Sequence, residues 1–303
     1  MRDSSAIDRA TAEVVSALED RGVEGVLLKG PAIARWLYED PSERAYGDID
    51  LLIAPSALAD AERLLGSLAF RGELFEGERG RPPARIWTRE ADAVAVELHT
   101  TVPGSTADGE RAWSLLAAQT ERLEVGGRPV PVLPAPARAL VVGLAAAEKG
   151  THAAKPVRDL GAALERVPEE QWREAASLAA DLGVSAELAA GLRLDPRGAA
   201  LAAALDLPAD AAPVTILRAE TSPDVRGAAP SMAWIAEQPG LRGRTRALVQ
   251  VLLPTPSSMR GSYPLARRGR FGLAAAYLWR LVISVPKLAP ATRAYIAARR
   301  RSG

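Results

Sequence analysis

The sequence predicts an α+β protein in which helices and strands mix over the first 133 residues and a mainly helical part follows. Three observations carry this. Short apolar, β-prone runs alternate with segments of helical spacing up to Pro134. Beyond Pro134, Ala/Leu-rich segments with helical spacing and short breaks succeed one another. The charge divides at the same place: residues 1–133 carry 15 Lys and Arg against 23 Asp and Glu, residues 134–303 carry 23 against 14, and no acid follows Glu237. A chain of 303 residues is long enough for two cores. Two domains are therefore expected, over 1–133 and 134–303.

The elements follow in order. Ile7, Ala10, Val14, Ala17 and Leu18 share one face of a helix over 5–20. Val26-Leu27-Leu28 reads as a short buried strand that ends in the turn Lys29-Gly30-Pro31. Pro31 suits the first position of a helix over 31–38, which carries Ile33, Trp36 and Leu37. A polar loop leads to a strand at 48–53, and Pro55-Ser56 opens a helix over 56–68. Residues 85–89 and 93–100 read as two strands joined around Glu90-Ala91-Asp92, and Gly126-Gly127 marks a hairpin. Helices are then expected at 136–149, 156–166, 169–182, 184–193 and 197–205. Residues 206–243, rich in Pro, Gly, Asp and Ala, suggest a long surface loop with a short helix near Met232–Ala236. Helices over 244–253 and 271–284 and a basic tail complete the chain.

Composition excludes several classes. At 48% hydrophobic and 25% charged it is that of an ordinary globular protein. The absence of Cys removes disulfides and thiolate metal sites, and two His make a zinc centre unexpected. The N-terminal segment is amphipathic and acidic, with no apolar run after its basic residue, so a signal peptide is not expected. No run of about 18 uninterrupted apolar residues occurs, so no transmembrane helix is expected, and the location is read as cytoplasmic.

Chemistry concentrates in three pieces. The first is Lys29-Gly30 between a strand and a helix, where free backbone N–H groups attract phosphate, Gly permits close approach and Lys adds a point charge. The second is Asp48-Ile49-Asp50. On a strand, residues two apart share a face, so both carboxylates converge while Ile49 and Leu51 enter the core. Two like charges that close repel unless a cation lies between them, and a hard divalent ion, Mg²⁺ first, is the simplest candidate. The third is Glu97 in the alternating strand Val94–His99; beside the Asp pair it completes a three-carboxylate cluster for two Mg²⁺ ions, or for one while a carboxylate accepts the proton of an attacking hydroxyl.

Together these pieces resemble the nucleotidyltransferase fold of the polymerase-β-like superfamily, and more closely a bacterial family of uncharacterised nucleotidyltransferases. The resemblance rests on Leu28-Lys29-Gly30, on Arg44 ahead of Gly47-Asp48-Ile49-Asp50-Leu51-Leu52, and on Glu97-Leu98-His99. It extends more weakly into Glu148-Lys149, Arg158-Asp159-Leu160 and Met259–Pro264. It implies a mixed sheet with flanking helices and transfer of a nucleoside monophosphate from an NTP, ATP first, to a small-molecule, peptide or protein acceptor, with pyrophosphate released. It further implies Asp48, Asp50 and Glu97 as metal and catalytic residues, and Lys29, Gly30, Arg44, Gly47, His99, Lys149 and Arg158 as nucleotide-binding residues.

Each residue also has a plainer reading. Arg44 neutralises phosphate, pairs with Asp48 or is an ordinary loop arginine; His99 positions substrate or caps a strand. Lys149, His152, Lys155 and Arg158 form a basic cluster that either closes over a triphosphate or is a solvated helix end, and Asp159 is a partner for Arg158 or Arg138. Phe271–Val285 is either a core helix or, between its flanking cations, a helix on an anionic membrane surface. Two functions compete with the enzyme: a catalytically silent nucleotide- or partner-binding regulatory module, and an RNA-end nucleotidyltransferase. Nucleic acid has only electrostatics in its favour.

Overall fold

The computed structural model describes residues 4–75, 84–151, 153–209, 240–254 and 263–301, with Met232, Ile235, Ala236, Gln238, Pro256, Met259 and Arg260. Helix α1, Ser4–Glu19, buries Ile7, Val14 and Leu18 at helical spacing. The chain then enters a seven-stranded sheet: β1 Gly25–Leu27, β2 Ile49–Ile53, β3 Arg71–Phe75, β4 Ala84–Arg89, β5 Val94–His99, β6 Glu121–Val125 and β7 Arg128–Val132. Their order is β3-β4-β5-β2-β1-β7-β6. The sheet is mixed. Strand β2 runs antiparallel to β1 and parallel to β5, and β1 runs parallel to β7. The β4–β5 and β6–β7 pairs are antiparallel. All five residues of the central strand β2 are buried.

Alternation along the strands sends side chains to two cores. On one face Leu27, Ile49, Leu51, Ile53 and Val96 pack with Val14 and Leu18 of α1 and with Leu64 and Leu65 of α3, Leu58–Ser67. On the other face Val26, Leu28 and Leu52 meet Ile33 and Leu37 of α2, Pro31–Leu37. The same core takes in α4, Gly109–Leu116, and a helical layer of α5 Ala135–Lys149, α6 Ala154–Arg166, α7 Glu169–Leu182, α8 Ser185–Leu192 and α9 Pro196–Ala204. Helices α5 and α8 touch through glycine. A Cβ on Gly191 would run into the Gly143 carbonyl, and one on Gly143 would lie 2.5 Å from Leu188 Cδ1.

The expected boundary after residue 133 therefore does not separate two cores. Helices α5 to α9 cover the second face of the sheet, and residues 1–74, 85–149 and 153–209 form one compact unit. The sequence marked a change from strands to helices, which is a change of layer, and the charge imbalance follows surfaces instead of cores.

Most expected elements are present with ends shifted by one to three residues. Strand β2 begins at Ile49, so Asp48 lies just before it. Strand β3 and helix α4 were not anticipated; α4 is capped by the Asp108 side chain, which accepts from Arg111 N at 3.0 Å. Most of the expected loop at 206–243 lies outside the described residues.

The second unit comprises residues 75–84, 150–152 and 210–303. It contains α10, Gly240–Leu252, a 3₁₀ turn at Pro264–Arg267, and α11, Gly269–Arg301. Met259, Ala266 and Ala276 form its small core with Tyr263, Leu273 and Tyr277 against them. Tyr277 Oη donates to the Pro254 carbonyl at 2.6 Å, and Arg280 Nη2 to that of Val251 at 3.1 Å. Helix α11 continues through Pro286 and Pro290 to Arg301, well beyond the expected end at 284. Its portion Gly269–Ala297 is long and apolar enough to cross a membrane by length and composition. The sequence reading missed this because it asked for an unbroken apolar run, and Arg280 and Lys287 interrupt this one.

Candidate active site

The parallel register of β2 and β5 builds the site. Asp50 stands opposite Glu97, and Leu52 opposite His99, so the acid of β2 and the acid and imidazole of β5 share one sheet face. Ligand atoms of Asp50, Glu97 and His99 all lie within 4.8 Å of one another. His99 Nε2 is 2.9 Å from Asp50 Oδ1 and 3.7 Å from Glu97 Oε2. An ionised carboxylate only accepts, which assigns the Nε2 proton to His99. Lys29, just past β1, donates from Nζ to Asp50 Oδ1 at 3.3 Å.

The charges on this face are interdependent. Burial opposes the ionised form of Asp50, which is only 6% exposed, yet Lys29 and His99 together hold its carboxyl well below the usual range. Burial likewise opposes the Lys29 ammonium, and the carboxylates of Asp50, Glu148 and Glu97 more than offset this, raising it above its ordinary value. Glu97 moves the other way: burial and then the Asp50 charge raise it, with Asp48 adding to the effect. Asp50 is thus held ionised while Glu97 keeps its proton more tightly, an arrangement fit for one metal-holding and one proton-accepting carboxylate.

The turn before α2 is held from behind. Gly30 has φ 61° and ψ −121°, a conformation open to glycine, and its virtual Cβ would meet nothing closer than 3.7 Å. The backbone, not space, makes glycine necessary there. Arg44, 6% exposed, donates from Nη1 to the Gly30 carbonyl at 3.1 Å. Its Nε and Nη2 each lie 2.8 Å from a carboxylate oxygen of Asp159, on α6. Tyr38 Oη donates to the same carboxylate at 2.8 Å, and burial followed by that carboxylate raises the phenol far above its ordinary value. Arg44 therefore fixes the turn to the helical layer. Its partner is Asp159, not Asp48, and Asp159 pairs with neither Arg158 nor Arg138.

The remaining expected site residues fall around this centre. Asp48 is half-buried at the entrance to β2, and Gly47 precedes it. Lys155, at the start of α6, feels Asp159, Asp48 and Asp50; desolvation and then the Arg44 charge outweigh them and lower its ammonium. Lys149 is exposed and paired with Glu148 at 2.9 Å, and Arg158 is exposed on α6. His152 lies outside the described residues. Three residues were not singled out in advance: Tyr38, Asp159 as the Arg44 partner, and Glu148 as a charge acting on Lys29. Arg44 and Asp159 are 115 residues apart, a separation at which no local pattern signals a pair.

The donor set fits a divalent cation. Two carboxylates and an imidazole converge, and the Asp50 charge, which adds to burial in raising Glu97, is what a cation offsets. Lys29 pairs with Asp50 and His99 hydrogen-bonds it meanwhile.

Comparison with known proteins gives consistent results. A family model described as an uncharacterised nucleotidyltransferase matches residues 1–196. No curated protein matches. Among solved structures, the antibiotic-resistance factor ANT(2'')-Ia is similar over 59% of this chain and 91% of its own, at 15% identity and a TM-score of 0.41. An antigenic nucleotidyltransferase-like protein from Paracoccidioides brasiliensis is similar over 68% of this chain and 94% of its own, at 16% identity and a TM-score of 0.39. The family match spans the sheet, its Lys29-Gly30 turn and helices α1 to α8, and on that match the chain belongs to the family of uncharacterised nucleotidyltransferases.

Proposed function

We propose that the protein is a Mg²⁺-dependent, cytoplasmic enzyme that transfers a nucleoside monophosphate from an NTP, ATP first, to a hydroxyl of a small-molecule, peptide or protein acceptor. The observation that carries this reading is the convergence of Asp50, Glu97 and His99 on one sheet face beside the Lys29-Gly30 turn.

In this reading the acceptor hydroxyl attacks the α-phosphorus, the bond to the bridging oxygen of the β-phosphate breaks, and pyrophosphate leaves with that electron pair. Glu97 accepts the hydroxyl proton, a role supported by its raised proton affinity. Asp50, aided by Asp48, holds the metal side of the nucleotide. Lys29 and the Gly30 backbone bind the departing phosphates, with Lys155 within electrostatic reach. A bound Mg²⁺ supplies charge neutralisation on the phosphate oxygens. His99 orients Asp50 through their 2.9 Å contact.

The test is calorimetric titration of each NTP, with and without Mg²⁺, into the wild type and an Asp48→Asn/Asp50→Asn double variant. Mg²⁺-dependent binding that disappears in the variant is expected. Undiminished binding in the variant removes the assignment, and nucleotide binding without turnover on any acceptor favours a regulatory module.

A further inference from the structure

All ten exposed large apolar side chains among the described residues fall between Leu241 and Ile296, and six of them lie on α11. Phe271 is 93% exposed, Leu278 66% and Val282 65%. With Val285 and Ile296 they recur at seven-, four-, three- and eleven-residue steps and form one stripe, with Trp279 at its border. At helical rise the stripe runs about 38 Å. The opposite side of α11 is occupied: Ala276 is buried with Met259 and Ala266, Tyr277 bonds the Pro254 carbonyl and Arg280 that of Val251. The helix thus has one face built into protein and one long apolar face left bare.

The charge around that face selects its occupant. Residues 238–303 contain 13 Lys and Arg and no Asp or Glu. A second copy would set one wholly cationic segment against another. A nucleic acid would answer the cations and leave the apolar stripe in water. A surface that is anionic outside and apolar a few ångströms beneath satisfies both features. Crossing a bilayer would strip Arg280 and Ala276 of their protein contacts, whereas lying on one uses only the bare side.

We infer that α11 is a monotopic membrane attachment: its Phe271–Ile296 stripe beds into the interface of an anionic lipid bilayer while its inner face stays packed on the protein. The nucleotide chemistry proposed above plays no part in this argument, so either can fail alone.

The test uses the whole 303-residue chain in flotation with vesicles of phosphatidylcholine alone or mixed with phosphatidylglycerol. Binding to the mixed vesicles is expected to exceed that to the neutral ones on the order of ten-fold or more and to weaken with salt. A Leu278→Ser/Val282→Ser variant, altered only at exposed positions, is expected to lose flotation with an unchanged circular dichroism spectrum and melting temperature. Tryptophan emission is expected to shift to the blue on adding mixed vesicles, and Trp279→Phe to abolish that shift. Failure to float with mixed vesicles, or equal binding to neutral ones, overturns the inference. So does resistance to alkaline carbonate extraction, the mark of a spanning helix, or a solution dimer that the Ser variant dissociates in the absence of any lipid binding.

Discussion

Arg44 and Asp159 form a buried, two-pronged ion pair, and the same guanidinium holds the carbonyl of Gly30. Removing one partner strands a buried charge and costs about 3–5 kcal/mol, whereas replacing both with apolar groups costs much less. We therefore expect Arg44→Met and Asp159→Leu each to lower the melting temperature strongly and the double variant to recover much of it. NTP affinity by calorimetry is expected to stay low in the double variant, because the Gly30 turn has lost its support. Recovery of both properties together would show that the pair serves stability alone.

Asp50→Asn separates chemistry from folding. The change keeps the side chain's shape and leaves Lys29 with the Glu148 and Glu97 charges that also act on it. Pyrophosphate release is expected to fall by roughly 100-fold or more, the scale for losing a preorganised electrostatic contact, with a far-UV spectrum like the wild type's. Wild-type release rates in the variant would disconnect Asp50 from the reaction.

The pH dependence of the metal-free protein follows from opposite shifts. Asp50 is held below its ordinary value of 3.8, so it adds stability at neutral pH that is lost as pH falls through its folded value. Lys29 is raised above 10.5, so its contribution is complete below that pH and is lost as pH climbs through its higher folded value. Urea unfolding at a series of pH values is expected to show both limbs in the wild type, with the acid limb shallower in Asp50→Asn.

The proposed Mg²⁺ site predicts its own pH signature. Glu97 is raised above its ordinary 4.5, and a cation must displace the proton it retains. The gain in melting temperature on adding Mg²⁺ is expected to shrink as pH drops from neutral toward 5, and Glu97→Gln to flatten that dependence. Near a hundred-fold excess over Kd the gain corresponds to about 2.7 kcal/mol, and a chelator should reverse it. A gain that does not change with pH would place the cation away from Glu97.

Gly30→Ala tests the turn by its backbone. There is room for the methyl group, so the cost is conformational, about 1–3 kcal/mol for a side chain held at φ 61° and ψ −121°. Denaturant unfolding reads that cost directly, and a neutral outcome would mean the turn relaxes without Arg44 resisting.

Residues that act locally were legible in the sequence. The β-prone run after Asp50, the Lys29-Gly30-Pro31 break and the alternation around Glu97 each follow from neighbours within a few positions, and they placed three of the four groups now seen in contact. His99 was open between two roles, and only the β2–β5 register decides that it reaches Asp50. The Arg44–Asp159 pair was not legible, because nothing in either residue's surroundings encodes a partner 115 positions away. The boundary at 133 misled for a related reason: secondary-structure type changes there, while the core formed by Leu52, Leu140 and Leu188 continues across it. At α11 the obstacle was proline, since Pro286 and Pro290 look like stops and the helix accommodates both.

The Arg44–Asp159 pair also sets an order of events in the cell. On the ribosome Arg44 emerges with the central strands, but its carboxylate partner follows 115 residues later, which at elongation speeds of about 5–20 residues per second is a delay of roughly 6–23 s. During that interval the Lys29-Gly30 turn has no clamp behind it. Until α6 has been made, the nascent chain therefore cannot close the buried pair that fixes the Gly30 turn to the helical layer.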